Sequence, residues 1–265
     1  MIAISLGLSA CSPPTLLAQD ATALVTRTLQ NEAVARKRPE HFSYLSRERS
    51  SRTGEHLWTE TVVQTEGAEI HRLISVDGVP LTAEKVRQED ARITKLVAHL
   101  EGVRKGDQQA SSSQDSGDEM IHSMTRAFLF TYDGQAEGCT RLRYRPNPQF
   151  KPAGYRQRIL HALEGTILIK EPEDRVCGLD GRLTYPVEVG FGLMGKLEEN
   201  GRIHILRVQI PGGTWQVSVI RLHLVGRVLV LKNISQELDE VRSDFHDLPP
   251  HLSVAQAAEI IRHPR

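Results

Sequence analysis

Between Leu163 and Val241 the chain reads as one strand-like run after another, with very little chain between them. The runs are Gly165–Lys170, Arg175–Thr184, Arg202–Ile210, Trp215–Leu224 and Arg227–Ser235. Glu171-Pro172-Glu173-Asp174, Pro211-Gly212-Gly213 and Gly226 punctuate them. Parallel pairing needs a crossover of about a dozen residues or more, so connections this short dictate an antiparallel meander. Val228-Leu229-Val230-Leu231 is apolar on both faces of a strand, which requires part of the sheet to be covered on both sides. From Trp215 to Val219 the apolar residues are odd-numbered, and from Ile220 to Leu224 they are even-numbered. A change of phase inside one strand predicts a bulge and a bent sheet.

Upstream, Asp20 is placed to cap a helix that buries Leu24, Val25, Thr28 and Leu29, closed by Arg36-Lys37-Arg38 and Pro39. Strand-like runs follow at Phe42–Glu48, His56–Gln64 and Ile70–Val76, and Asp77-Gly78 turns the chain. From Thr82 to about Arg104, Val86, Ile93, Val97 and Leu100 share a helical stripe. Residues 106–119 are rich in Gln, Ser, Asp and Gly and hold no apolar residue except one alanine. They cannot bury enough surface to offset ordering, and read as a mobile insertion. Strands resume at Ala127–Tyr132 and Cys139–Arg145, and a short helix around Tyr155–Ala162 leads back to the meander. At the end, Ser253 and Gln256 have the spacing of a capping box for a terminal helix. The expected fold class is mainly β with α (α+β): one strongly curved antiparallel domain over 19–248, with a signal segment at 1–18 and a helical tail at 249–265.

Thirty-three basic residues balance 33 acidic ones, for a net charge of +0. No basic excess supports a nucleic-acid partner. The first charge after the N-terminus is Asp20, and Leu8-Ser9-Ala10-Cys11 has the form of a bacterial lipobox, with Cys11 as the lipidated residue. The apolar window is too short to span a bilayer, and the basic n-region of a signal peptide is missing. Ordinary cleavage near Ala18-Gln19 would instead release a soluble exported protein. The lipoprotein reading is preferred, and it places the chain in the periplasm; Ser12 after the cysteine fits outer-membrane sorting.

Motifs that carry chemistry are scarce. Gly190-Phe191-Gly192-Leu193-Met194-Gly195 matches a dinucleotide fingerprint formally, but Glu198-Glu199-Asn200-Gly201 turns straight into a strand and leaves no room for the required helix. The 11 histidines include no metal-site spacing, and there is no Gly-x-Ser-x-Gly, P-loop or Cys-x-x-Cys. Pairs such as Glu171/Glu173 and Asp239/Glu240 read as solvated charges. The expectation is therefore no catalytic residue, metal or cofactor. With Cys11 lipidated, Cys139 and Cys177 remain as an even pair in an oxidising compartment. Against a bridge, Cys139 shares its strand face with Arg141 and Arg143 while Cys177 shares one with Leu179 and Leu183, so the two face oppositely unless a bulge turns one of them. The aromatics Trp58, Phe128, Phe130 and Trp215 are the candidates to line an apolar cavity, with ordinary core packing as the competing role.

This order of elements resembles the outer-membrane lipoprotein-sorting group of bacterial envelope proteins, of the LolA, LolB and LppX type. The residues behind the resemblance are Gly78-Val79-Pro80-Leu81-Thr82-Ala83-Glu84, Glu164-Gly165-Thr166-Ile167-Leu168-Ile169, Val189-Gly190-Phe191-Gly192-Leu193 and the strand ending Ser243-Asp244-Phe245. It is a pattern of elements over most of the chain, with no ligand motif to carry over. The resemblance implies a half-open antiparallel barrel with helices packed on its concave face. It further implies a non-catalytic binder or carrier whose partner is a lipid or an acylated protein, meeting the membrane through an anchor or transiently. A lipidated Cys11 suits an anchored receptor better than a soluble shuttle. The alternatives are a structural or protein-interaction lipoprotein whose half-barrel is filled by its own side chains and, last, an enzyme assembled from several strands.

Overall fold

The computed structural model describes residues 14–37, 41–65, 69–106, 123–189, 195–228 and 232–262. In chain order the elements are α1 (Pro14–Arg36), β1 (Phe42–Ser50), β2 (Trp58–Gln64), β3 (Glu69–Val76), β4 (Val79–Pro80) and α2 (Ala83–Gly106). They continue with β5 (Phe128–Ala136), β6 (Cys139–Pro146), α3 (Tyr155–His161), β7 (Leu163–Lys170), β8 (Arg175–Leu183), β9 (Val187–Val189) and β10 (Gly195–Leu197). The last are β11 (Arg202–Gln209), β12 (Trp215–Val228), β13 (Lys232–Asp247) and α4 (Val254–Arg262). All strands belong to one sheet of order β4-β3-β2-β1-β13-β12-β11-β8-β7-β6-β5, with the β9–β10 hairpin attached to β12. Neighbours along this order are antiparallel. The sheet is open, with β4 and β5 as its edges. Two meanders build it, and β1 joins them by pairing with β13.

Directly paired residues of antiparallel strands point to the same face, so the registers trace each face across the sheet. Leu142, Ile167, Leu179, Ile205, Ile220, Glu240 and Glu48 follow one another on one side. This is the face on which α1 lies. Ala21, Leu24 and Val25 are buried one helical turn apart against Phe128, Phe130, Leu142, Tyr144 and Ile167. Val63 and Ile70 point to the other face, where they pack with Ile93 of α2 and Ala257, Ala258 and Ile261 of α4. The helices therefore do not share one face, which corrects the expectation drawn from the resemblance. The cause is the apolar surface that Val63 and Ile70 leave on the far side, which α2 and α4 cover.

Several local expectations hold for the reasons given. Ser253 and Gln256 cap α4 reciprocally, each side chain accepting the other's backbone N–H at 3.2 and 2.9 Å. The register of β11 and β12 slips between Leu206↔Val219 and Arg207↔Val217, leaving Ser218 as an extra residue where the apolar phase changes. Others are corrected. α1 starts at Pro14 rather than at Asp20. Gly226 is not a turn: β12 runs through it to Val228, and β10 comes so close that a Cβ at Gly226 would lie 2.7 Å from the Lys196 carbonyl oxygen. Gly165 and Gly181 face each other across β7 and β8 and leave room for Tyr144, whose hydroxyl donates to the Asp180 carbonyl at 2.9 Å.

The cysteine expectation is also overturned, because Cys139 and Cys177 are joined as a disulfide. The pairing of β7 with β8 shifts from Leu168↔Gly178 to Ile169↔Val176, so Cys177 is the extra residue of a bulge. That turns its side chain to the face of Leu168 and Cys139, where Trp215 completes a buried cluster. The 107–119 part of the insertion lies outside the described residues, as do residues 1–13, Leu229-Val230-Leu231 and the Gly190–Met194 stretch. Among the described residues, no helix is long and apolar enough to cross a membrane.

Candidate functional site

On the α4 face, a cavity of about 1020 Å³ opens between the start of β1, the end of β13 and α4. Leu45, Ile74, Pro211, Phe245, Leu248 and Ile260 supply its apolar lining. Two irregularities shape it. Asp244 takes a left-handed φ of 54° where the β1·β13 register slips between Ser43 and Leu45. Ile74 is the unpaired residue where β3 slips against β2, and it stays 39% exposed. Behind the cavity Tyr44 stacks on Phe245 at 5.6 Å between ring centroids. The Tyr44 hydroxyl is buried with no hydrogen-bond partner among the described residues, and burial raises its pKa above the ordinary tyrosine value.

Further along β1, the α1 face carries a buried ionic network. Glu48, Glu60 and Glu240 are all less than a tenth exposed. Arg52 bridges the first two, with Nε 3.1 Å from Glu48 and Nη2 2.8 Å from Glu60, and the Ser50 hydroxyl also donates to Glu48. His71 contacts Glu60 at 3.3 Å and Glu69 at 3.7 Å. Burial pushes the His71 pKa down, but the hydrogen bonds to the two carboxylates outweigh it and raise the pKa to about 9. Burial likewise pushes Glu48 and Glu60 up, and their Arg52, Ser50 and His71 partners bring both below the usual carboxylate value. Glu240 accepts from Ser46 at 2.8 Å and from both Nε and Nη2 of Arg242 at 2.9 Å. Glu48, Glu60 and Glu240 are thus each engaged by an arginine.

A second cavity, of about 1110 Å³, lies on the α4 face over the middle of the sheet. Arg202 stands directly opposite His223, and His204 directly opposite Arg221, on β11 and β12. Carboxylates stand on the flanking strands. Asp180 meets His204 Nδ1 at 2.6 Å, Asp239 meets Arg221 Nε at 3.4 Å, and Glu237 pairs with His223. The sequence reading missed this block, although its signal is present: Arg202-Ile203-His204 and Arg221-Leu222-His223 repeat one triplet on the two arms of a hairpin. Among the described residues, no group of three His, Cys, Asp or Glu side chains is placed to hold a metal ion.

The four aromatics singled out from sequence are not brought together. Phe128 and Phe130 sit under α1, each 5% exposed, and touch neither large cavity. Trp58 is half-buried beneath the Arg52 guanidinium, which lies 5.1 Å from its ring centroid. Trp215 packs on the disulfide and donates its indole N–H to Glu173 at 3.2 Å. Cys11 lies outside the described residues. The residues that do line the apolar cavity come mostly from bulges and chain ends, which strand periodicity does not flag. No family model, curated protein or solved structure matches the chain.

Proposed function

We propose that the protein is a non-catalytic component of the bacterial envelope that binds or transfers the acyl chains of a lipid or lipoprotein. The observation that carries this reading is the apolar cavity beneath α4, at about 1020 Å³. That volume is well above the roughly 300 Å³ at which ligand pockets begin. Each methylene withdrawn from water into such a site contributes about 0.8 kcal/mol. In this reading the open sheet is a half-barrel, and α4 with the Leu248-Pro249 segment forms the roof of the acyl site. Export is supported by the Cys139–Cys177 bridge, which persists only in an oxidising compartment, and by the lipobox form of Leu8–Cys11, which anchors the chain through Cys11 at the outer membrane.

One observation favours the alternative of a self-filled scaffold: the β5–β8 end of the α1 face is packed by α1 itself. Native mass spectrometry of the protein taken from its own envelope decides between them. The acyl-binding reading expects co-purifying lipid that is lost in Ile74→Asp, a change at an exposed lining position that leaves the core intact. Lipid-free protein that also fails to take up a fluorescent fatty acid refutes it.

A further inference from the structure

We propose that the basic block on β11 and β12 is an anion site that holds the phosphate headgroup of the lipid whose acyl chain occupies the apolar cavity; this rests on the acyl-binding reading above. The first argument is the register. Arg202↔His223 and His204↔Arg221 place basic side chains directly across from one another, twice, in adjacent positions. Arg202 also stands directly opposite Arg182 on β8, and like charges directly opposite destabilise a strand pair, so the arrangement gains from an anion placed above it. The second is the distribution of carboxylates. Asp180, Asp239 and Glu237 each engage one member of the block from a flanking strand, whereas Arg202 forms no ion pair with a described residue. Its guanidinium is available as a planar donor of the kind that matches a phosphate.

The third argument is space and direction. The block lines the cavity of about 1110 Å³, which reaches Arg49 on β1. Leu45, in the apolar cavity, and Arg49, in the charged one, are four residues apart on one strand and share a face. That is about 13 Å at about 3.3 Å per residue. Arg49, Asp239 and Arg221 are successive partners across β1, β13 and β12, so Arg221 lies about 10 Å to the side at about 4.8 Å per strand. A pocket lined largely by apolar side chains and one that bears six arginines among five carboxylates, about 13 Å apart along β1, fit a single amphipathic anion.

The test titrates the full chain with a fluorescent-tailed phosphatidylglycerol, the matching phosphatidylcholine and inorganic phosphate. Wild type is expected to prefer phosphatidylglycerol. Arg202→Gln with Arg221→Gln removes two charge-assisted contacts and should lower that affinity about ten- to hundredfold, leaving phosphatidylcholine unchanged. Asp239→Asn, which frees Arg221, should tighten phosphatidylglycerol binding, a direction that damage to the fold would not produce. Ile74→Asp should weaken both lipids. If the double arginine variant keeps full affinity for phosphatidylglycerol while Ile74→Asp loses both lipids, the headgroup inference is wrong and the acyl-binding reading stands. If wild type binds neither lipid, both fall. In that case, inorganic phosphate bound by wild type and lost in the arginine variant would identify a free anion, not a lipid headgroup, as the occupant.

Discussion

Removing the Cys139–Cys177 bridge has a magnitude that follows from its position in the chain. The cysteines are 38 residues apart in sequence. In the chain-entropy treatment, a loop of that length removes about 13 cal/mol/K from the unfolded ensemble, or about 3.9 kcal/mol at 25 °C. The Cys139→Ala/Cys177→Ala variant should lose about that much, together with some packing against Leu168 and Trp215. For a domain of this size the loss corresponds to a fall in Tm of about 8–16 °C. The assay is guanidinium unfolding followed by far-UV circular dichroism, on the oxidised wild type, the wild type in reductant and the double variant. The last two curves should nearly coincide, with the oxidised protein well to their right. Alkylation of the denatured, unreduced protein should leave Cys139 and Cys177 unmodified. Two alkylated thiols at these positions would refute the bridge and the bulge that makes it feasible, and a stability gap under about 1 kcal/mol would refute the loop-entropy magnitude.

Other perturbations probe the remaining framework. Glu32 fastens α1 to the sheet by accepting from Arg175 at 3.0 Å, Arg207 at 2.7 Å and the Val176 N–H at 3.0 Å. Glu32→Ala strands two half-buried guanidinium groups and should cost about 3–5 kcal/mol in urea unfolding; a loss under about 1 kcal/mol would contradict the anchoring role. Tyr44→Phe deletes a buried hydroxyl with no partner among the described residues, so its Tm should hold or rise, and a clear fall would expose a missed hydrogen bond. His71 has its folded-state pKa raised to about 9, so its stabilisation is complete below its ordinary value of 6.5 and is lost as pH rises through about 9. The stability gap between wild type and His71→Gln should therefore be wide at pH 6 and narrow toward pH 10; a gap that widens with pH would reverse the assignment. Gly165→Ala would place a Cβ 2.0 Å from the Asp180 carbonyl oxygen, backbone against backbone, and should cost more than about 4 kcal/mol; near-wild-type folding would show that the register is wrong.

What could be read from the residues alone is what depends on neighbours in sequence. Short connections dictated the antiparallel meander, the Ser253/Gln256 spacing marked a real cap, and the change of phase around Val219 located the bulge at Ser218. What escaped depends on partners distant in the chain. Alternation set Cys139 and Cys177 on opposite faces, and only the slip of β8 against β7 reverses one of them. Gly226 looked like a turn because a glycine demanded by the close approach of β10 has the same letter as one demanded by a reversal. The cavity lining was invisible for a related reason: Ile74 and Phe245 sit at register slips, where period-2 counting fails, and Ile260 comes from the last helix. The aromatic stripe on β5 was a sound sign of burial, but α1 rather than a ligand lies against it.

The seam between β1 and β13 has a consequence for how the polypeptide reaches this state. Ser46 bonds Glu240 across 194 residues, so the sheet cannot be joined at its centre until the chain has been made past residue 240. A protein emerging N-terminus first holds its early hairpins with a bare β1 border, while β12 offers a second bare border once it forms. Such separated pairings come late in folding, and unpaired borders invite other chains in the meantime. Synthesis halted before residue 232 would leave both borders permanently without their shared partner. The last strand is thus a keystone, and a holdase that shields the unfinished halves until it arrives would be expected to raise the yield of native protein.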